Sequence, residues 1–135
     1  MESTYTYRLF KLTWGVAIDI TAEVVPLSQY KGEAMEVVKG LWFALGIDWE
    51  LTAGEKQYLE TGLRLVSNEI GDKVMDEPIV IRVVDILFNP TDFQEEGLAY
   101  AMAGWMAQAF GIAFVPPPVE FDKERNLYNF PLPIV

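Results

Sequence analysis

Residues 97–115, with the sequence GLAYAMAGWMAQAFGIAFV, contain a single strongly polar side chain, Gln108. A segment this long and this apolar has almost the length of a membrane-spanning helix. However, the carboxylates Glu95 and Glu96 precede it and no lysine or arginine flanks it, whereas membrane spans are bordered by basic residues on one side. The pattern therefore predicts a helix buried in the core of a water-soluble protein, without a membrane partner.

The bounds of this helix are predicted from its capping residues. Asp92, followed three residues later by Glu95, matches the pattern that satisfies the exposed amides at a helix start. Gly111 suits the left-handed conformation in which many helices end. The sequence thus predicts a helix over residues 92–110, and glycines at seven-residue intervals predict its close approach to a neighbouring element.

The segments before this helix show the patterns of strands. Residues 5–14 (YTYRLFKLTW) and 16–25 (VAIDITAEVV) alternate around a glycine and predict an antiparallel hairpin. Residues 79–88 (IVIRVVDILF) form an almost continuous β-branched run, which is typical of an interior strand buried on both faces. Residues 32–49 suit a strand pair or a buried helix, and we favour the strand pair.

A first helix is predicted after these ambiguous residues. Thr52 and Glu55 stand three residues apart, the spacing of a capping box. An apolar stripe with helical spacing follows and ends at Gly71, which predicts an amphipathic helix lying on a sheet: Leu59, Leu63, Val66 and Ile70.

The C-terminal part of the chain predicts one more strand and a packed tail. Residues 112–115 (IAFV) are apolar and are followed by three prolines, which suits a short strand at a sheet edge. The Pro-rich tail, residues 116–135, is too apolar for a disordered segment and is expected to pack on the body of the protein or on a partner.

The element order predicts a single domain over residues 1–135. Its core, residues 5–115, has the order βββαβαβ. This order predicts an α+β fold, a two-layer sandwich with a mixed sheet of four or more strands and two helices on one face.

Composition excludes several kinds of chemistry. The chain has no cysteine and no histidine, so disulfides, thiolate nucleophiles and histidine-dependent catalysis are excluded. No Gly-rich phosphate loop, metal-binding motif or nucleophile elbow is present. We therefore predict no catalytic, cofactor or metal site. The buried-strand residue Asp85 is expected to form a structural hydrogen bond or to be functional, and strict alternation places Arg82 on the opposite face.

Charge indicates the kind of partner. The net charge is −10, which repels free DNA or RNA. Between Arg82 and Lys123 there is no basic residue, so an acidic surface is expected there, serving either solubility or the docking of a basic protein. No secretory signal is visible at the N-terminus, so a cytoplasmic location is the expectation.

Three stretches resemble a known family. They are VAIDITAEVVPLSQYKGEAMEVV, LTAGEKQYLETGLRLVSNEIGD and PIVIRVVDILFNPTDFQEEGLAYAMAGWMAQAF. The second carries Tyr58, Gly62 and Leu63, and the third carries Pro90 and Asp92, in matching places. Together they resemble domain IV of elongation factor G and the tetracycline ribosomal protection proteins, as a stand-alone domain. That resemblance implies the ribosomal protein S5 domain 2-like fold.

The resemblance implies a non-enzymatic macromolecule-binding module with a ribosomal partner, and the charge implies that its acidic surface engages a ribosomal or other basic partner. It places a partner-contacting loop at Asn89, Pro90, Thr91, Asp92, Phe93 and Gln94. A second candidate contact, which could bind a basic peptide, is the aromatic residue with two neighbouring acids at Asp48, Trp49 and Glu50. Trp49 could instead pack on the following helix.

Other functions remain open at this point. An immunity-type protein that neutralises a basic toxin satisfies the same charge argument. A small enzyme is a further alternative, because the S5 domain 2-like fold also hosts catalytic domains. The apolar tail leaves homodimer formation open.

Overall fold

A computed structural model describes residues 2–11, 14–47, 50–71, 77–89 and 93–132. Within these residues the chain forms seven strands and three α-helices: β1 (Glu2–Lys11), β2 (Trp14–Pro26), β3 (Met35–Val38), β4 (Leu41–Leu45), α1 (Ala53–Leu65), α2 (Ser67–Gly71), β5 (Ile79–Phe88), α3 (Gly97–Phe110), β6 (Glu120–Asp122) and β7 (Leu127–Asn129). A short 3-10 helix, Leu27–Gln29, follows β2.

The first five strands form one mixed sheet in the order β1-β2-β5-β4-β3. β4 and β5 are parallel, and the other neighbours are antiparallel. Helices α1 and α3 pack together on the core face of this sheet. The predicted two-layer α+β sandwich with a mixed sheet is therefore confirmed, as is the strand pair within residues 32–49.

β5 is an interior strand, as predicted, but the prediction that it is buried on both faces is wrong, since Leu87 is 58% exposed. Its alternation is also interrupted. It carries one extra residue, Val84, between the positions that pair with Thr21 and Ala22. A β-bulge of this kind reverses the alternation beyond it. Arg82 and Asp85 therefore lie on the same face of the sheet, and the prediction that they point to opposite faces is wrong. No helix in the described part of the chain covers this face, and we call it the open face.

The start of α1 has the predicted capping box. The backbone amide of Glu55 donates to the hydroxyl of Thr52 at 3.0 Å, and the amide of Thr52 donates to the Glu55 carboxylate at 2.8 Å. The predicted apolar stripe is at most 2% exposed along its length: Leu59, Leu63, Val66 and Ile70. The helical stretch ends at Gly71 as predicted, although Val66 separates α1 from α2.

The bounds of α3 are partly corrected. Its C-terminal cap is Gly111 with φ 64°, as predicted, but the helix begins at Gly97 rather than at residue 92. The predicted cap, Asp92, lies outside the described residues. The amide of Gly97 donates to the carbonyl of Gln94, and the next two amides repeat this three-residue spacing. A tight turn thus replaces the first predicted turn of α-helix.

Among the described residues, no helix is long and apolar enough to cross a membrane.

The predicted strand at residues 112–115 is absent. Residues 112–119 have no regular secondary structure. Three consecutive prolines there have no N–H to donate to a sheet. The tail forms its own hairpin of β6 and β7 instead. Its turn is stabilised by Asp122, whose carboxylate accepts from two backbone amides, and by Asn126 in the left-handed region with φ 55°.

The two helices of the core touch at a glycine. A Cβ placed on Gly62 in α1 would meet the Ala99 carbonyl oxygen and lie 2.7 Å from the Cβ of Met102, both in α3. Because two of the nearest three atoms belong to the α3 backbone, no side-chain rotation could relieve the overlap. Gly62 therefore sets the distance between the helices.

We expect Gly62→Ala to destabilise the fold by about 1–3 kcal/mol, because the added methyl group forces α1 and α3 apart. The matched control is Gly71→Ala, where the added methyl meets nothing within 4 Å. Urea denaturation of both variants measures the difference. Equal midpoints for Gly62→Ala and Gly71→Ala would contradict this packing.

Candidate partner-binding surface

The described residues of the two segments predicted to contact a partner lie at the same end of the molecule. β4 and β5 are neighbours and parallel, so the loops that follow them leave toward the same end. The Glu95 carboxylate lies beside the first turn of α1, since a Cβ placed on Gly54 would be 3.4 Å from its Oε2 atom. Of the predicted residues, Glu50 and Asn89 are exposed at this end.

Five of the predicted contact residues lie outside the described residues: Asp48, Trp49, Pro90, Thr91 and Asp92. Of the others, Phe93 and Gln94 are directed toward the protein itself. The ring of Phe93 stacks on Phe88 with centroids 4.0 Å apart, and it is only partly exposed. The structure thus gives Phe93 an internal packing role.

Three carboxylates converge where α1 and α3 begin: Glu55, Glu95 and Glu96. We call these three residues the acidic pole. Burial raises the pKa of Glu95, and the neighbouring carboxylates Glu96 and Glu55 raise it further. The pKa of Tyr58 is also raised, by burial and then by Glu96 and Glu95. Burial and the neighbouring carboxylates therefore both disfavour the ionised forms of Glu95 and Tyr58.

The open face differs from the pole, because its carboxylate Glu23 has a basic partner. Arg82 forms an ion pair with Glu23 at 3.2 Å, and on the same sheet the hydroxyl of Thr6 donates to Asp19 at 2.5 Å. Among the described residues no ion pair involves the acidic pole. A cation that reaches the pole would therefore displace no basic side chain in the described part of the chain.

Gln94 connects the acidic pole with the C-terminal hairpin. Its Nε2 donates to the carbonyl of Tyr128 at 2.6 Å, and its Oε1 accepts from the amide of Tyr128 at 2.9 Å. The same Nε2 donates to the Glu96 carboxylate at 2.9 Å. The side-chain amide thus forms with β7 the pair of hydrogen bonds that the backbone of a neighbouring strand would form. Glutamine has no local signal for such pairing, so the sequence could not predict this role.

A cleft of about 410 Å³ separates α1 from the C-terminal segment. Tyr58 and Thr61 line it on the α1 side, Phe130 lines it on the other, and Glu96 stands at its rim. The hydroxyl of Thr61 donates to the carbonyl of Gln57 at 3.0 Å, so its hydrogen is already used in a bond within α1. The cleft therefore adjoins the pole at Glu96, and its lining also includes one basic residue, Arg125.

The acidic pole and the cleft beside it can accept hydrogen bonds and can bind a positively charged group. The described residues hold no group of three or more acidic, histidine or cysteine side chains placed to bind a metal ion. Carboxylates beside a tyrosine and a recess are suited to lysine or arginine side chains, which combine charge with an apolar stem.

Comparison with known proteins bears on the fold. No family model matches the chain, and no curated protein matches it. A crystal structure of a protein from Thermus thermophilus is similar with a TM-score of 0.53 and 14% identity, over 76% of this chain and 14% of that chain. The chain thus corresponds to a small part of that longer protein. At this identity the likeness shows a shared fold.

The repulsion at the pole predicts that Glu95→Gln stabilises the protein near neutral pH. Because the pKa of Glu95 is raised on folding, its ionised form opposes folding above that pKa. The nearby start of α1 favours a negative charge, but the raised pKa of Glu95 shows that burial, together with repulsion from Glu96 and Glu55, outweighs this effect. We expect a gain below about 1 kcal/mol, since solvent screens the site.

The gain from Glu95→Gln should disappear as the pH falls below the ordinary glutamate pKa of about 4.3, where both folded and unfolded states are protonated. Urea denaturation at pH 7 and at pH 3 measures this. The control is Glu69→Gln, an exposed residue of α2 away from the pole. An equal gain for both variants at pH 7 would show that general charge reduction is responsible.

Proposed function

We propose that this protein is a non-enzymatic binding module of the cytoplasm, whose acidic pole engages a basic surface on a macromolecular partner. The observation that carries the proposal is the convergence of Glu55, Glu95 and Glu96 without an ion pair among the described residues, with a raised pKa at Glu95. A basic side chain placed there would relieve the repulsion among these carboxylates.

The overall charge supports the same kind of partner. A net charge of −10 attracts basic surfaces over long distances and repels free nucleic acid and anionic lipid. Each exposed ion pair contributes only about 0.2–1 kcal/mol, so affinity would need several pairs together with contacts to the adjacent cleft. Binding that depends on such pairs weakens as salt is added, because ions screen exposed charges.

The class of partner is supported by the resemblance in sequence. Likeness to domain IV of elongation factor G favours a ribosomal component, which would meet the end of the molecule that carries Asn89 and the pole. A basic toxin is the second candidate, because the same cluster of carboxylates suits an immunity-type protein. The two candidates differ in which basic protein is retained from cells.

The test is retention of partners from native lysate by immobilised protein, at low and at high salt. We expect the wild type to retain a basic protein or a ribosomal component at low salt and to release it at high salt. Reversal of the pole in Glu95→Lys/Glu96→Lys should abolish retention, because like charges then face the partner.

The matched control is Glu69→Lys/Glu77→Lys, which changes the net charge equally at two exposed residues away from the pole. It should retain the partner nearly as well as the wild type does. If both double variants lose the partner equally, the pole has no specific role. If the wild type retains nothing basic at low salt, the proposal fails.

A further inference from the structure

The C-terminal segment is attached to the body at Tyr128, the partner of Gln94, and at the residues that follow it. The ring of Phe130 stacks on Tyr100 with centroids 5.4 Å apart and meets Tyr7 edge-on at 6.5 Å. The Tyr100 hydroxyl donates to the carbonyl of Pro131 at 2.9 Å. Tyr128 itself is fully buried. The docked segment therefore depends on both aromatic packing and the Gln94 amide.

Gln94 contacts both the C-terminal hairpin and the acidic pole through its side-chain amide. Its side-chain amide forms three hydrogen bonds: it donates to the Tyr128 carbonyl and to the Glu96 carboxylate, and it accepts from the Tyr128 amide. The Nε2 atom has two hydrogens, and its two acceptors use both of them. Rotation of this amide to follow one neighbour would break its bond to the other, so the positions of β7 and of the Glu96 carboxylate are linked.

We propose that Gln94 is a positioning residue that couples docking of the C-terminal segment to the arrangement of the carboxylates in the acidic pole. The biological use of this coupling rests on the proposed function, in which a basic partner binds the acidic pole. A cation that fixes Glu96 also fixes Gln94, and thereby holds β7 in place. By linkage, loosening of the segment weakens cation binding to the same degree.

The first test uses decalysine as the basic probe and measures hydrogen exchange of the Tyr128 amide by NMR. In the wild type, saturating decalysine should slow this exchange several-fold. In Gln94→Ala the free protein should exchange about tenfold faster or more, because the Tyr128 amide loses its acceptor, and decalysine should no longer slow it. A merely structural role would give the first change without the second.

The matched control is Gln57→Ala, which makes the same chemical change at an exposed residue that lines the same cleft from α1. It should exchange and respond to decalysine as the wild type does. The coupling is overturned if decalysine binds the wild type without slowing Tyr128 exchange, or slows it equally in Gln94→Ala.

A second test needs no partner. Phe130→Ala removes the ring that packs on Tyr100 and so loosens the segment without touching Gln94 or Glu96. The side-chain carboxyl carbon signal of Glu96 should shift in Phe130→Ala, and the same substitution added to Gln94→Ala should leave it unmoved. Equal shifts in the two backgrounds, or none in either, overturn the coupling.

Failure of decalysine to bind the wild type would instead contradict the proposed function, and the carboxyl signal would still decide the coupling.

Discussion

The parallel pairing of β4 with β5 is the constraint on which the rest of this structure depends. Parallel neighbours cannot be joined by a tight turn, so the chain must cross over the sheet, and α1 provides the crossover. That helix lies against α3 through the contact at Gly62. As a result α1 and α3 begin near each other, and Glu55 lies close enough to Glu95 to raise its pKa although the two residues are far apart in sequence.

Much of the fold could be predicted because it rests on local patterns. The capping box of Thr52 and Glu55 needs only four consecutive residues, and Gly111 needs only its own left-handed conformation. The bulge at Val84 and the start of α3 at Gly97 could not be predicted in the same way. The first depends on strand register, and the second on a turn next to a long-range anchor, Gln94.

The candidate surface was predicted in part. The gap without basic residues between Arg82 and Lys123 indicated an acidic region, and the structure places Glu95 and Glu96 within it, without an ion pair among the described residues. The predicted loop residues Phe93 and Gln94 instead make contacts within the protein. No residue pattern shows that Glu55 joins the pole, because that proximity exists only after α1 has packed on α3.

The most direct test of the acidic pole is zero-length crosslinking of carboxylates to lysine amines on a partner captured at low salt, with the crosslinked residues identified by mass spectrometry. We predict that the crosslinks concentrate on Glu55, Glu95 and Glu96. Crosslinks distributed over exposed carboxylates elsewhere, such as Glu33 and Glu69, would contradict the account, because they would show that only the overall negative charge attracts the partner.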